Sequence, residues 1–147
     1  AAREPACRKA AAKPAADVIP DLVARPWRKL RKAVRGLTDT PADSELHRVR
    51  ILAKRTRYAA EAAAPLVGKK AATFARAVAG LQEVLGDHQD AVVAEAWLRQ
   101  AVEGADAAVS LAAGELIAVQ MAEAADHRAR WPKAWKKASD AKLRTWM

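Results

Sequence analysis

The sequence predicts an all-α protein, an antiparallel up-down four-helix bundle followed by a short C-terminal helix. Alanine, the residue with the highest helix propensity, fills 39 of the 147 positions. Valine and isoleucine never alternate with polar residues over the length of a strand, as they would in a half-buried β-strand. Apolar residues instead recur at three- and four-residue spacing. Short loops separate these segments, and short loops favour antiparallel neighbouring helices.

Charge and cysteine content limit the classes of function. The formal net charge is +9 and the sequence pI is about 10.1, which favours a polyanionic partner without specifying a fold. No run of eighteen or more apolar residues occurs, so we expect no membrane partner. Cys7 is the single cysteine, which excludes a disulfide within the chain and a cysteine metal site. A reducing, cytoplasmic location is therefore the expectation.

The first segment divides into a linker and a helix. Residues 1–20 contain three prolines and no apolar period, which predicts a disordered linker before a bundle over residues 21–147. A helix is expected from Asp21, as N-cap, to Leu37, with Val23 and Trp27 on its buried face. The same helix carries a basic row at helical spacing, formed by Arg28, Lys32 and Arg35.

The second helix carries the densest run of cations in the chain. It is expected to begin at Thr40-Pro41, with Thr40 as the cap and Asp43 as the capping-box acid, and to end before Pro65. A helical projection places four basic side chains within an arc of roughly 80°. Two more cations flank the arc, and a tyrosine closes the stretch. The arc holds His47, Arg50, Lys54 and Arg57, flanked by Arg48 and Arg55 and followed by Tyr58.

Four further helical segments are predicted. The third helix should run from Leu66 to Leu85 and stop at Gly86-Asp87-His88-Gln89-Asp90, with Gly86 as C-cap. Helix then resumes to Val102. Asp106 can cap a helix to Arg130, after which Trp131-Pro132 bends the chain into a short tail helix.

The basic stretch predicts an anion-binding surface rather than a solvated charged face. A solvated face usually interleaves Glu at i+4, and here Glu61 alone does so. Arg grips phosphate oxygens with two parallel hydrogen bonds, and Lys adds a compact charge. His47 is either a phosphate donor or a residue bonded to a backbone carbonyl, and its place on the basic arc favours the first role.

Two motifs resemble the signature of the CHAD family, the conserved-histidine α-helical domains. The first runs from Glu45 to Tyr58 as Glu-Leu-His-Arg-Val-Arg-Ile, then Lys54-Arg55 and Arg57-Tyr58. The second is Leu81-Gln82-Glu83-Val84-Leu85-Gly86-Asp87-His88-Gln89-Asp90. The motifs stand in the family's order, and the resemblance covers about residues 21 to 135. It implies a helical bundle that binds inorganic polyphosphate.

The resemblance also implies roles for single residues. His47, Arg50, Lys54 and Arg57 match the family's basic positions and Tyr58 its aromatic one. The second motif is matched at Gln82, Gly86 and Asp90. Family members usually contain two such repeats facing each other across a basic channel, and this chain resembles the second one. Either a missing first repeat or a homodimer is therefore expected to supply the opposite wall.

The remaining expectations concern chemistry and partners. Glu83, Asp87 and Asp90 are explained by caps and ion pairs, so neither a metal nor any other cofactor is expected. Without a carboxylate cluster or a triad the chain is not expected to be an enzyme. Nucleic acid is a weaker alternative partner, because few aromatic residues are available to stack on bases. Lys69 and the two flanking arginines are peripheral candidates for polyphosphate binding, and the location expected is the cytoplasm, at polyphosphate granules.

Overall fold

The described part of the chain consists mainly of four α-helices that contact one another in chain order. The computed structural model describes residues 14–147. The helices are α1 (Ala15–Arg35), α2 (Asp43–Val67), α3 (Lys69–Ala101) and α4 (Ala107–Ala138), and a 3₁₀ helix (Ala141–Arg144) follows. Each helix contacts the next one, the 3₁₀ helix contacts α3, and no strand occurs within the described residues. The predicted all-α bundle with a short C-terminal helix is confirmed.

The core lies where α1, α2 and the first half of α3 meet. Trp27 of α1 packs edge-on against Phe74 of α3, with 5.5 Å between ring centroids, and stacks on Trp135 of α4 at 5.4 Å. Such aromatic pairs stabilise a core beyond their buried area. The other fully buried large apolar residues continue the same cluster: Val23, Leu30, Leu46, Val49, Val78, Leu81 and Leu85.

The first helix begins earlier than predicted. It starts at Ala15, so Asp21 is inside the helix and its assignment as N-cap is wrong. Ile19 packs against the core one turn before Val23, which explains why the helix extends across Pro20. Residues 15–20, predicted as linker, are helical, and the remaining linker residues 1–13 lie outside the described residues.

The start and end of the second helix also differ from the prediction. Its N-cap is Ala42, whose backbone N–H donates to Glu45 Oε2 at 2.8 Å. Glu45 rather than Asp43 is therefore the acid of the capping interaction, and Thr40 is not the cap. The helix passes through Pro65 and ends before Gly68, whose φ of +82° suits glycine.

The largest correction concerns the third helix, which has no break at Gly86–Asp90. It runs without interruption from Lys69 to Ala101. The buried period of Leu81 and Leu85 continues through His88 and Ala91, so a histidine occupies a core position. The side chain of His88 is only 1% exposed, although the sequence predicts a break between helices at this position.

The fourth helix is confirmed at its start and longer than predicted at its end. Asp106 accepts a hydrogen bond from the backbone N–H of Val109 at 2.9 Å, as expected of an N-cap. Trp131-Pro132 lies inside the helix, which continues to Ala138. By length and composition alone α4 is apolar enough to cross a membrane, and only 6% of its most apolar window is buried in the protein.

Candidate anion-binding site

A groove between α1 and α2 gathers cations from both helices. It has a volume of about 850 Å³, and apolar residues that include Ala33, Leu37 and Leu52 line its inner side. Glu45 is the one acidic residue that lines it within the described part of the chain. Five basic side chains line it: Lys29, Lys32, His47, Arg48 and Arg55. We call this surface the α1–α2 groove. A basic wall on each side and an apolar base suit a linear anion that lies along the helices.

The opposite flank of α2 faces the second motif on α3. Arg50 lies over Gly86, and a Cβ atom built on that glycine would be 3.5 Å from Arg50 Nε. Gln82 stands one helical turn before Gly86, and its Oε1 is buried without a hydrogen-bond partner among the described residues. Neither Arg50 Nε nor His47 Nδ1 is hydrogen-bonded within that part of the chain. The two sequence motifs therefore meet at Arg50 and Gly86.

The outer surface of α2 carries the aromatic residue of the motif. Arg57 lies over the ring of Tyr58 with its guanidinium carbon 4.9 Å from the centroid, and Lys54 Nζ lies at 5.8 Å. Such contacts hold cations near a partly exposed ring. Arg57 Nε is also 3.0 Å from Glu61 Oε1, so part of its charge is neutralised. Arg50, which lies beside α3, precedes these two cations along α2, and none of the three lines the α1–α2 groove; we call Arg50, Lys54 and Arg57 the outer row.

The structure divides the predicted basic residues between these surfaces. His47 and Lys32 line the groove, whereas Arg50 lies toward Gly86 of α3 and Arg57 lies over the ring of Tyr58. Arg48 and Arg55, predicted as peripheral, line the groove directly. Three predicted residues are exposed and do not line the groove: Arg28, Arg35 and Lys69. Of the second motif, Gln82 and Gly86 are half-buried and Asp90 is exposed.

Sequence reasoning missed Lys29, which lines the groove three residues before Lys32. The spacing of the two lysines places them on one helical face, and this signal was present in the sequence. The helical projection of α2 could not show which flank meets α1 and which meets α3. That depends on the packing of Val49 and Leu46 against the core.

A polar cluster fixes the start of α2 to α3 and α4. Asp43 Oδ1 lies 3.1 Å from Nε2 of the buried His88. Arg128 of α4 donates to the same carboxylate oxygen and to the carbonyl oxygen of Pro41. A carboxylate shared by a histidine and an arginine fixes three segments against one another. This cluster therefore fixes the position of the N-terminal end of α2, the helix that carries the basic residues of the motif.

We expect the free energy of unfolding to decrease below about pH 6.5 because of His88. Burial lowers the pKa of His88 from its ordinary value of 6.5, Asp43 opposes this shift, and the charges of Arg128 and His127 add to it. The unfolded chain then binds a proton more readily than the folded one, so acidification favours unfolding until the folded pKa is passed. Urea denaturation at pH 7.5 and at successively lower pH should show this loss.

The matched variant for this pH dependence is His88→Gln, which keeps a donor toward Asp43 and removes the titrating ring. Its stability should change less than that of the wild type across the same pH range. Equal pH dependence in the two proteins would contradict the assignment to His88.

The contact between Arg50 and Gly86 predicts opposite results for two substitutions. Gly86→Ala places its Cβ at an ordinary van der Waals distance of 3.5 Å, so it should stabilise the helix by about 0.5–1 kcal/mol without moving Arg50. Gly86→Leu should displace the Arg50 side chain. Thermal unfolding reports the first effect, and the arginine side-chain NMR signal of Arg50 reports the second. An unchanged Arg50 signal in Gly86→Leu would refute the contact.

The fold and the two basic surfaces of α2 define a class of protein. It is an all-α bundle in which one helix carries a histidine, His47, with basic residues on both of its flanks. The model of the CHAD domain family matches residues 1–99, which is more than half of the chain. The chain therefore belongs to the CHAD domain family, as its two motifs predicted. The match ends before α4, whereas the resemblance was expected to reach about residue 135. No curated protein and no solved structure matches the chain.

The family is associated in general with the binding of polyphosphate. Both motifs that carried the resemblance lie within the matched residues, and so does every residue that lines the α1–α2 groove.

Proposed function

We propose that this chain is a non-enzymatic module that binds inorganic polyphosphate along α2. The single observation that carries the proposal is the α1–α2 groove, where cations from two helices converge beside His47 in a CHAD domain. Polyphosphate is a linear chain with a negative charge on every unit. A groove lined by basic side chains along two helices presents a matching series of donors.

Each type of basic residue has a distinct part in this proposal. Arg48 and Arg55 donate pairs of hydrogen bonds to phosphate oxygens, and Lys29 and Lys32 add compact charges from the opposite wall. His47 donates to phosphate from the start of the groove. The outer row offers a second line of donors, with Tyr58 keeping Lys54 and Arg57 near the surface.

The location and the assembly of the protein follow from the same role. The chain binds and does not process phosphate, and it acts in the cytoplasm at polyphosphate granules. A first CHAD repeat or a second copy of the chain supplies the opposite wall of the site. Two copies, each with a net charge of +9, repel each other until a polyanion lies between them. Light scattering with and without polyphosphate tests this last point, and a monomer in both conditions contradicts it.

The test of the proposed ligand is a competition between long-chain polyphosphate and single-stranded RNA at equal phosphate concentration. Polyphosphate should displace RNA, because few aromatic residues are available to stack on bases and the sequence contains no recognised DNA-binding motif. RNA that displaces polyphosphate would identify nucleic acid as the ligand. Release of orthophosphate by the purified protein with magnesium would contradict the non-enzymatic role.

The outer row is tested separately by the variant R50E/K54E/R57E. Polyphosphate binding should weaken while the circular dichroism spectrum keeps its helical form. Unchanged affinity in this variant would remove the outer row from the binding surface and leave the groove alone.

A further inference from the structure

A second basic groove lies between α3 and α4. It has a volume of about 490 Å³, within the usual range for sites of small ligands. Among residues 14–147, no acidic residue lines it, and no residue lines both this groove and the α1–α2 groove. Four cations line it: Arg76 of α3 and Arg130, Lys133 and Lys137 of α4. We call it the α3–α4 groove.

The cations of α4 stand on one face of the helix. Residues 130, 133 and 137 are separated by three and four positions, which places their side chains one above another along the groove. Arg76 faces them from α3. Donors on two walls of a groove can contact a linear anion from both sides, which a single exposed row of lysines cannot do.

Little of this charge is neutralised by the protein. Arg130 Nη1 lies 3.2 Å from Asp126 Oδ2, and Arg76 donates to the hydroxyl oxygen of Thr73 at 3.1 Å. Lys133 and Lys137 form no ion pair and no side-chain hydrogen bond with any residue between 14 and 147. The groove therefore concentrates positive charge between two helices in contact.

Small residues create the depression between the cations. Ala77, Gly80 and Ala134 are half-buried in the lining, and a Cβ added at Gly80 would meet no atom within 4 Å. The space beside Gly80 is open. A larger side chain at this position would fill the groove without changing its charge.

We propose that the α3–α4 groove is a second, independent binding site for oligophosphate, either a short free chain or a segment of a long one. This inference rests on the proposed function for the class of its ligand, but the two sites have no residue in common. Three of its four cations lie on α4, beyond the residues that match the CHAD family. Occupation of both grooves would let one chain of this protein hold two phosphate segments.

The experiment is a calorimetric titration of the full chain with tripolyphosphate, repeated with long-chain polyphosphate. The wild type should bind two tripolyphosphate molecules. The variants K133E/K137E and Gly80→Leu should each lose the same one of the two binding events. The variant K32E/R48E/R55E should lose the other event and keep this one.

Matched controls separate this site from nonspecific charge and from unfolding. R25E/K142E changes the net charge as much as K133E/K137E does, at exposed positions outside both grooves, and should keep two binding events. Gly114→Leu is the control for Gly80→Leu, because Gly114 is also a helical glycine with open space beside it. Circular dichroism checks the fold of each variant.

The outcomes of the two proposals are distinguishable. A single tripolyphosphate event in the wild type that persists in K133E/K137E, or full retention of both events in K133E/K137E or Gly80→Leu, overturns the second site. Loss of all binding in K32E/R48E/R55E also overturns it. If K32E/R48E/R55E keeps both events while K133E/K137E loses one, the second site stands and the proposed role of the α1–α2 groove fails. The titration with long-chain polyphosphate shows which form of the ligand the site binds. If K133E/K137E also loses affinity for long chains, the site binds segments of polyphosphate. If the loss is confined to tripolyphosphate, the site binds short free chains.

Discussion

Reversing the charge of Lys32, Arg48 and Arg55 together should weaken polyphosphate binding by about 100-fold or more. Each of the three side chains lines the α1–α2 groove, and each is exposed enough to accept glutamate without disturbing the core. A charge-assisted hydrogen bond contributes about 1.5–3 kcal/mol, and about 1.4 kcal/mol corresponds to a tenfold change in affinity. The loss of two such bonds already gives the expected effect. Equilibrium binding of long-chain polyphosphate to K32E/R48E/R55E measures it.

The control for this variant is R25E/K70E/K142E, which changes the net charge equally at three exposed positions outside both grooves. Long-range charge alone should weaken binding in the control, but by much less, since salt screens distant charges. If both triple variants lose the same affinity, binding depends on the overall charge of the protein and not on the groove.

Replacing Phe74 by alanine should cost about 3–5 kcal/mol of the free energy of unfolding. Phe74 is fully buried, contacts Trp27 edge-on and faces Trp146 with 6.3 Å between ring centroids. Its removal leaves a cavity at the point where α1, α3 and the C-terminal segment meet. Since the stability of a domain is only about 5–15 kcal/mol, this single change should shift the urea midpoint strongly.

A matched surface variant is Leu66→Ala, whose side chain is 63% exposed near the end of α2. Its stability should change by about 0.5 kcal/mol or less. A small effect of Phe74→Ala, comparable with that of Leu66→Ala, would contradict the position of the core described above.

The helices of this protein could be predicted from sequence because their apolar periods are long and their loops short. The ends of the helices were less predictable, because glycine and proline residues that usually end a helix lie here between buried residues at helical spacing. Gly86 is helical because Leu85 is buried before it and His88 and Ala91 are buried after it. Pro65 and Pro132 also lie inside helices, α2 and α4. Burial outweighs the local preference of a single glycine or proline.

The basic residues of the candidate site were identifiable from the sequence, but their grouping was not. Helical spacing places His47 and Arg50 on one arc, and the structure directs His47 to the α1 side and Arg50 toward Gly86. The pairing of Asp43 with His88 was also unpredictable, since it joins residues far apart in the chain. Only the packing of the helices determines such contacts.

The central claim is that the basic surface of α2 binds polyphosphate, and a calorimetric titration of the wild-type chain with long-chain polyphosphate tests it most directly. The titration is repeated over a series of salt concentrations. We expect binding at low salt, with the logarithm of the affinity falling linearly as the logarithm of the salt concentration rises, because each neutralised phosphate releases a counterion. We also expect a shallower slope for K32E/R48E/R55E, which retains fewer phosphate contacts. Absence of binding at low salt, or an affinity that does not change with salt, would contradict the account.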